Sequence, residues 1–215
     1  MTNKRTYYHL LLDRSGSMNS CIEQTVDGVN QQIRRIKEVA EKFPEQQLIT
    51  SLTLFNHLIT PVWTRLSSCQ LREITFSDYK PDGLTALLDA IGTTIADLQS
   101  SVSHELESDE ATIIVVIITD GYENASKIYS HDQISSIIGD LEHTGKWTFS
   151  YIGATLDAVE IAVSLNIKVN NAMSFIAEDY FKIYHKLDKS LNSYLNEKQS
   201  GKIKNGFLED DEVKK

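Results

Sequence analysis

Residues 111–118, Ala-Thr-Ile-Ile-Val-Val-Ile-Ile, leave this chain the fewest choices of any stretch. A β-branched run crowds a helix and suits a strand. It shows no polar alternation, so it predicts a strand buried on both faces, the environment of a central strand in a parallel sheet. Thr6 to Leu12 ends in a second solid apolar run, Leu10-Leu11-Leu12. Parallel neighbours need crossover connections, usually helices, and the sequence supplies them. Ile22, Val26, Val29, Ile33, Ile36, Ala40 and Phe43 recur at helical spacing, with Ser20 and Glu23 at capping-box spacing before them and Pro44 after. Leu84, Leu87, Leu88, Ile91, Ile95, Leu98 and Val102 predict a second helix. Ile134, Ile137, Ile138 and Leu141 predict a third, started by Ser130 with Gln133 and stopped by Gly145.

The remaining segments complete the pattern. Residues 48–55 and 58–63 read as strands joined by Asn56-His57, a connection so short that the pair is antiparallel. Residues 64–80 are irregular, and Pro81-Asp82-Gly83 is a turn. A polar loop fills 103–110, Trp147 to Ile152 is a strand, Leu156 to Leu165 a short helix, and 167–175 holds a last short strand. Phe181, Tyr184, Leu187, Leu191 and Tyr194 mark a final helix over about 178–195. Strands alternating with helices predict an α/β fold: a doubly wound, mostly parallel sheet of about six strands, one antiparallel edge strand, and helices on both faces. One domain is expected over 5–196, with a polar, disordered tail over 197–215.

Composition narrows the function. The net charge of −9 argues against a polyanion binder, because phosphate contacts need clustered Lys and Arg. No stretch is long and apolar enough to span a bilayer. The first strand begins close to Met1, leaving no room for a signal peptide, and two cysteines are too few for a disulfide framework. A reduced, cytoplasmic setting is the expectation.

In open α/β sheets ligands bind beyond the carboxyl ends of the strands. Three loops with oxygen donors fall there. Asp13, Ser15 and Ser17 follow the first strand, Thr85 lies in the first turn of the second helix, and Asp120-Gly121 follows the 111–118 strand. Each has an ordinary structural explanation, as a helix cap, a helix start or an Asp-Gly turn. Together they offer two carboxylates and three hydroxyls, an oxygen donor set of low charge that suits a hard cation such as Mg²⁺ and leaves a position open to an outside ligand. Glu123 and Asn124, just beyond, are expected to be solvated loop residues. Asn124-Ala125-Ser126 matches a glycosylation sequon but is expected to be accidental.

Asp13-x-Ser15-x-Ser17, the lone Thr85 and Asp120-Gly121 resemble, in order, spacing and strand context, the metal-ion-dependent adhesion site of the von Willebrand factor type A domain. The resemblance covers roughly residues 5 to 196 and is nearest to the stand-alone intracellular type A domains of bacteria. It implies a Rossmann-like sheet and a divalent cation, usually Mg²⁺, with Mn²⁺ or Ca²⁺ as alternatives. Ser15 and Ser17 would hold it directly, and Asp13, Thr85 and Asp120 directly or through water. It implies a protein partner that presents Asp or Glu to complete the shell; charge and hydropathy, as above, give the expectation of no nucleic acid and no membrane partner. It also implies an adaptor role, beside an AAA+ ATPase or a stress-response system, rather than catalysis. The alternative is a metal-dependent hydrolase or phosphotransferase using Asp13 or a metal-bound water. Against it, the P-loop, G-x-G-x-x-G and G-x-S-x-G motifs are missing, and position 15, where such enzymes carry a second acid, is serine. The tail segment Phe207-Leu208 followed by Glu209-Asp210-Asp211-Glu212 is expected to be solvated; its pairing of apolar residues with carboxylates offers the alternative of a pseudo-ligand for a neighbouring molecule's site.

Overall fold

The computed structural model describes residues 5–175, 180–202 and 206–208. Six strands form one sheet: β1 (Arg5–Asp13), β2 (Gln47–Phe55), β3 (Ile59–Ser67), β4 (Ala111–Thr119), β5 (Trp147–Gly153) and β6 (Ala172–Ser174). Their spatial order is β3-β2-β1-β4-β5-β6, and all pairs are parallel except β2 with β3. The helices are α1 (Ile22–Lys42), α2 (Leu87–Ser101), α3 (Ser103–Glu107), α4 (His131–His143), α5 (Ala158–Ser164) and α6 (Tyr180–Gln199). The expected doubly wound α/β sheet with one antiparallel edge strand is what forms.

Every residue of β4 is buried, as its unbroken apolar run requires. The two faces separate with the period of two that a strand imposes. Tyr8, Leu10 and Leu12 of β1 with Ile114, Val116 and Ile118 of β4 pack against α1 and α6. Leu11 with Ile113, Val115 and Ile117 pack against α2, α4 and α5. Among the described residues, no helix is long and apolar enough to cross a membrane. Both cysteines are free, Cys21 buried and Cys69 exposed.

Several boundaries differ from the sequence reading, each for a local reason. A 3₁₀ turn over Gly16–Cys21 precedes α1, and the Ser20–Glu23 capping box does not form, because the Ser20 hydroxyl donates to the Ser17 carbonyl instead. The box at Ser130 and Gln133 does form. β3 continues to Ser67, past Arg65 at φ 51°, whose amide donates to the Ser51 hydroxyl where β2 and β3 change register. A single helical turn, α3, occupies part of the expected 103–110 loop.

The C-terminal region departs most. The expected start of the last helix at 178 lies outside the described residues, but its end lies further on than expected, at Gln199. Lys198 is why: its ammonium donates to the Arg5 carbonyl (2.6 Å), the Thr6 hydroxyl (2.7 Å) and the Thr112 hydroxyl (2.8 Å). Beyond it, Phe207 and Leu208 are buried in the core rather than displayed on a polar tail. The Phe207 ring lies 6.0 Å from that of Tyr8 and 6.3 Å from that of Tyr194, and its amide donates to Asn171 Oδ1. The acidic residues 209–212 lie outside the described residues.

Candidate metal centre

Strand order reverses on either side of β1 and β4, so their carboxyl ends form the crevice where such sheets bind ligands. Asp13 closes β1 and is fully buried. Its Oδ1 accepts the Ser15 amide at 2.7 Å and its Oδ2 accepts the Thr119 hydroxyl at 2.6 Å. Its carbonyl accepts the buried hydroxyl of Tyr79 at 2.7 Å. Burial nevertheless pushes the Asp13 carboxyl up to about 6, with a smaller push from the neighbouring Asp120 charge. The carboxylate is therefore short of positive charge.

Around it the predicted hydroxyls assemble. Ser15 Oγ and Ser17 Oγ lie 3.1 Å apart, and the Ser17 hydroxyl donates to Asp120 Oδ1 at 2.6 Å. Asp120, too, is pushed up by burial. Thr85 is buried beside them. Gly121 shows where these groups point. A Cβ placed on it would lie 3.1 Å from Thr85 Oγ1, 3.5 Å from Ser17 Oγ and 3.7 Å from Ser15 Oγ. Three hydroxyl oxygens from two loops thus face one small space, which the third loop keeps open by having no side chain. Among the described residues, no group of three or more His, Cys, Asp or Glu is placed to hold a metal. The donor set is rich in hydroxyls instead, and two undercharged carboxylates beside those hydroxyls fit a hard divalent cation.

Thr85 is near the site but not on the helix. α2 begins at Leu87, and Ala86, at φ −96° and ψ 65°, is not helical. The Ala86 amide donates to the Asn56 carbonyl, which draws this segment toward the β2–β3 turn. Thr85 is positioned by Asn124, whose Oδ1 accepts the Thr85 amide (2.9 Å) and whose own amide donates to the Thr85 carbonyl (3.0 Å).

Glu123 works beside Asn124. Its carboxylate accepts the amides of Leu88, Ala125 and Ser126, so it joins the first turn of α2 to the loop after β4. Asp89 extends the join by accepting the amides of Lys127, Ile128 and Tyr129. Glu123 and Asn124 were expected to be solvated loop residues; Glu123 is half-buried and structural, while Asn124 is exposed as expected and still holds Thr85 through its side chain. Thr119 and Tyr79 were not foreseen at all. For Glu123 and Asn124 the one available signal was a carboxylate and an amide two and three residues past Gly121.

No protein-family model matches the chain, and no curated protein sequence does. Solved structures do. The chain is similar to proximal thread matrix protein 1 from the mussel byssus with zinc occupying its MIDAS motif. That match has 14% identity and a TM-score of 0.61, and covers 89% of this chain and 47% of that one. It is also similar to the manganese-loaded TRAP protein of Plasmodium vivax, at 16% identity and a TM-score of 0.57, covering 86% of this chain and 74% of that one. A third similarity is to a von Willebrand factor type A structure from Catenulispora acidiphila, at 12% identity and a TM-score of 0.51, covering 85% and 42%. The chain thus spans about half the length of the mussel protein. Identities this low speak to architecture: the fold is the Rossmann-like fold of von Willebrand factor type A domains.

Proposed function

We propose that this chain is a metal-dependent protein-interaction module that captures an acidic side chain of a partner protein through a divalent cation, Mg²⁺ in the first instance. The supporting observation is the space beside Gly121, faced by the hydroxyls of Ser15, Ser17 and Thr85. A bound divalent cation would supply there an electrophilic centre for an outside carboxylate. The chain's own residues do the rest. Ser15 and Ser17 present oxygen lone pairs, and the Ser17 hydroxyl keeps its proton on Asp120 while doing so. Asp13 holds the Ser15 amide and supplies charge from beneath, oriented by Thr119. Thr85 completes the donor set, held by Asn124. Hydroxyl donors leave a cation under-neutralised, which favours an incoming Asp or Glu. We place the module inside the cell, as an adaptor beside an ATPase or a stress-response system.

The hydrolase reading draws no support from this geometry. Asp13 is buried, and both of its oxygens accept short hydrogen bonds, which is a poor setting for a nucleophile.

Calorimetric titration with Mg²⁺, Mn²⁺ and Ca²⁺ tests the proposal. The wild type is expected to bind, and Asp13→Ala is expected not to. Gly121→Val keeps all five donors but fills the space that the hydroxyls of Ser15, Ser17 and Thr85 face, and is expected to lose most of the affinity. Unchanged affinity in Gly121→Val would refute the assignment. Turnover on a phosphoester panel that depends on Mg²⁺ and on Asp13 would favour the enzyme.

A further inference from the structure

We infer that the partner's carboxylate is carried between bulky aliphatic side chains, which seat on an apolar arc formed by Leu84, Tyr122 and Leu156. The inference rests on the cation-site reading above and names the partner chemistry that the same site selects.

Leu84 and Tyr122 adjoin the site in sequence, and the loop of Leu156 is bonded to the end of β4 beside it. Leu84 precedes Thr85 and is 56% exposed; Tyr122 follows Gly121 and is 56% exposed; Leu156 lies on the loop after β5 and is 98% exposed. Exposed apolar residues scattered singly need no explanation, but three on adjoining loops at one ligand-binding edge do. They do not serve the core: Leu156 touches almost nothing. Nor are they on loose segments. The Tyr122 hydroxyl donates to Asp157 Oδ1 at 3.0 Å, tying the loop after β4 to the loop that carries Leu156. The Ala154 amide donates to the Thr119 carbonyl at 3.0 Å, fixing that second loop to the end of β4. Asn124 holds Thr85, and with it Leu84, to the same loop. A surface already fixed in place gives up little entropy on binding.

Charge narrows the partner further. The chain carries a net charge of −9, so a segment with many acids is repelled at long range. One carboxylate suffices for the open coordination position, and aliphatic neighbours add contact area without adding charge. The matching partner is therefore a single Asp or Glu flanked by Leu- or Ile-like side chains.

Two capped pentapeptides, Gly-Leu-Glu-Leu-Gly and Gly-Ser-Glu-Ser-Gly, separate the possibilities. Each is titrated into ¹⁵N-labelled full-length protein saturated with Mg²⁺, after calorimetry has established Mg²⁺ uptake. The leucine peptide is expected to bind about fivefold or more tighter, since burial of a leucine side chain is favourable on this scale. It should move the amide signals of Leu84, Tyr122 and Leu156. Leu156→Ser, at a position too exposed to affect folding, should remove most of that preference and leave Mg²⁺ affinity unchanged. Equal affinities, no binding of either peptide, or an undiminished preference in Leu156→Ser would overturn the inference while leaving the cation site standing. Absence of Mg²⁺ uptake would instead overturn the cation reading and this inference with it.

Discussion

Asp13 and His9 lie four residues apart on β1, both are buried, and their titrations act on stability with opposite signs. Burial lowers His9 to about 4; Nε2 lies 3.0 Å from Thr53 Oγ1, and Nδ1 has no hydrogen-bond partner among the described residues. A histidine depressed in the folded state contributes stability that is present above its unfolded pKa, near 6.5, and is lost as pH falls toward 4. Asp13, raised from 3.8 to about 6, does the reverse: its contribution is present below 3.8 and is lost as pH rises through 6. Each shift corresponds to about 3 kcal/mol, so in metal-free protein the pair nearly cancels between pH 6.5 and 4. Urea unfolding in EDTA checks this. Asp13→Asn should lose about 3 kcal/mol across that window as pH falls, and His9→Gln should gain a similar amount. At pH 7 in EDTA, Asp13→Asn should be the more stable protein, and saturating Mg²⁺ should raise only the wild type. Equal pH profiles for wild type and Asp13→Asn would show that the Asp13 carboxylate is not strained by burial.

At the scale of elements, α1 and α6 pack closely because Gly28 has no side chain. A Cβ on Gly28 would lie 1.8 Å from Cε2 and 2.2 Å from Cδ2 of the buried Tyr184 ring. Gly28→Ala gains about 1 kcal/mol of helix propensity, but the crowding costs about 1–3 kcal/mol. Thermal unfolding should therefore show a net loss, and Tyr184→Leu should relieve it; stabilisation by Gly28→Ala alone would contradict the close packing. Such a contact pairs residues far apart in sequence and leaves no local signal. What was legible followed from local chemistry: β1 and β4 from their solid apolar runs, and Asp13 and Asp120 from their places at those strand ends. Thr85 was legible as a residue but not in its setting, because Leu84 continued the helical spacing while facing solvent. Ser130 caps a helix as its spacing predicts and Ser20 does not, because the donor loop ahead of Ser20 winds into a 3₁₀ turn that takes its hydroxyl. Spacing alone does not distinguish the two.

Across the whole molecule, the chain's end closes the α1/α6 face, while the donor cluster sits at the opposite, carboxyl end of the sheet. Lys198 joins the end of α6 to the starts of β1 and β4, and Phe207 covers Tyr8 and Tyr194. The pairing of apolar and acidic residues at 207–212 suggested a pseudo-ligand, but an apolar pair already in its own core is not free to bind elsewhere. Truncation after Gln199 keeps Lys198 and removes Phe207 and Leu208. Uncovering two aromatic rings and deleting two buried side chains should cost about 2–4 kcal/mol, below the sum for two isolated core deletions because removing the whole segment opens the surface to water and leaves no enclosed cavity. Phe207→Ala should account for most of that loss. Tyr8 lies five residues before Asp13 on one straight strand, about 16 Å away, so Mg²⁺ affinity at the cluster should stay the same in both variants. Chemical denaturation read beside Mg²⁺ calorimetry separates the two roles. Affinity that rises on truncation would mean the chain's end does compete for the site; affinity that falls in step with stability would mean the two ends of the sheet are not independent.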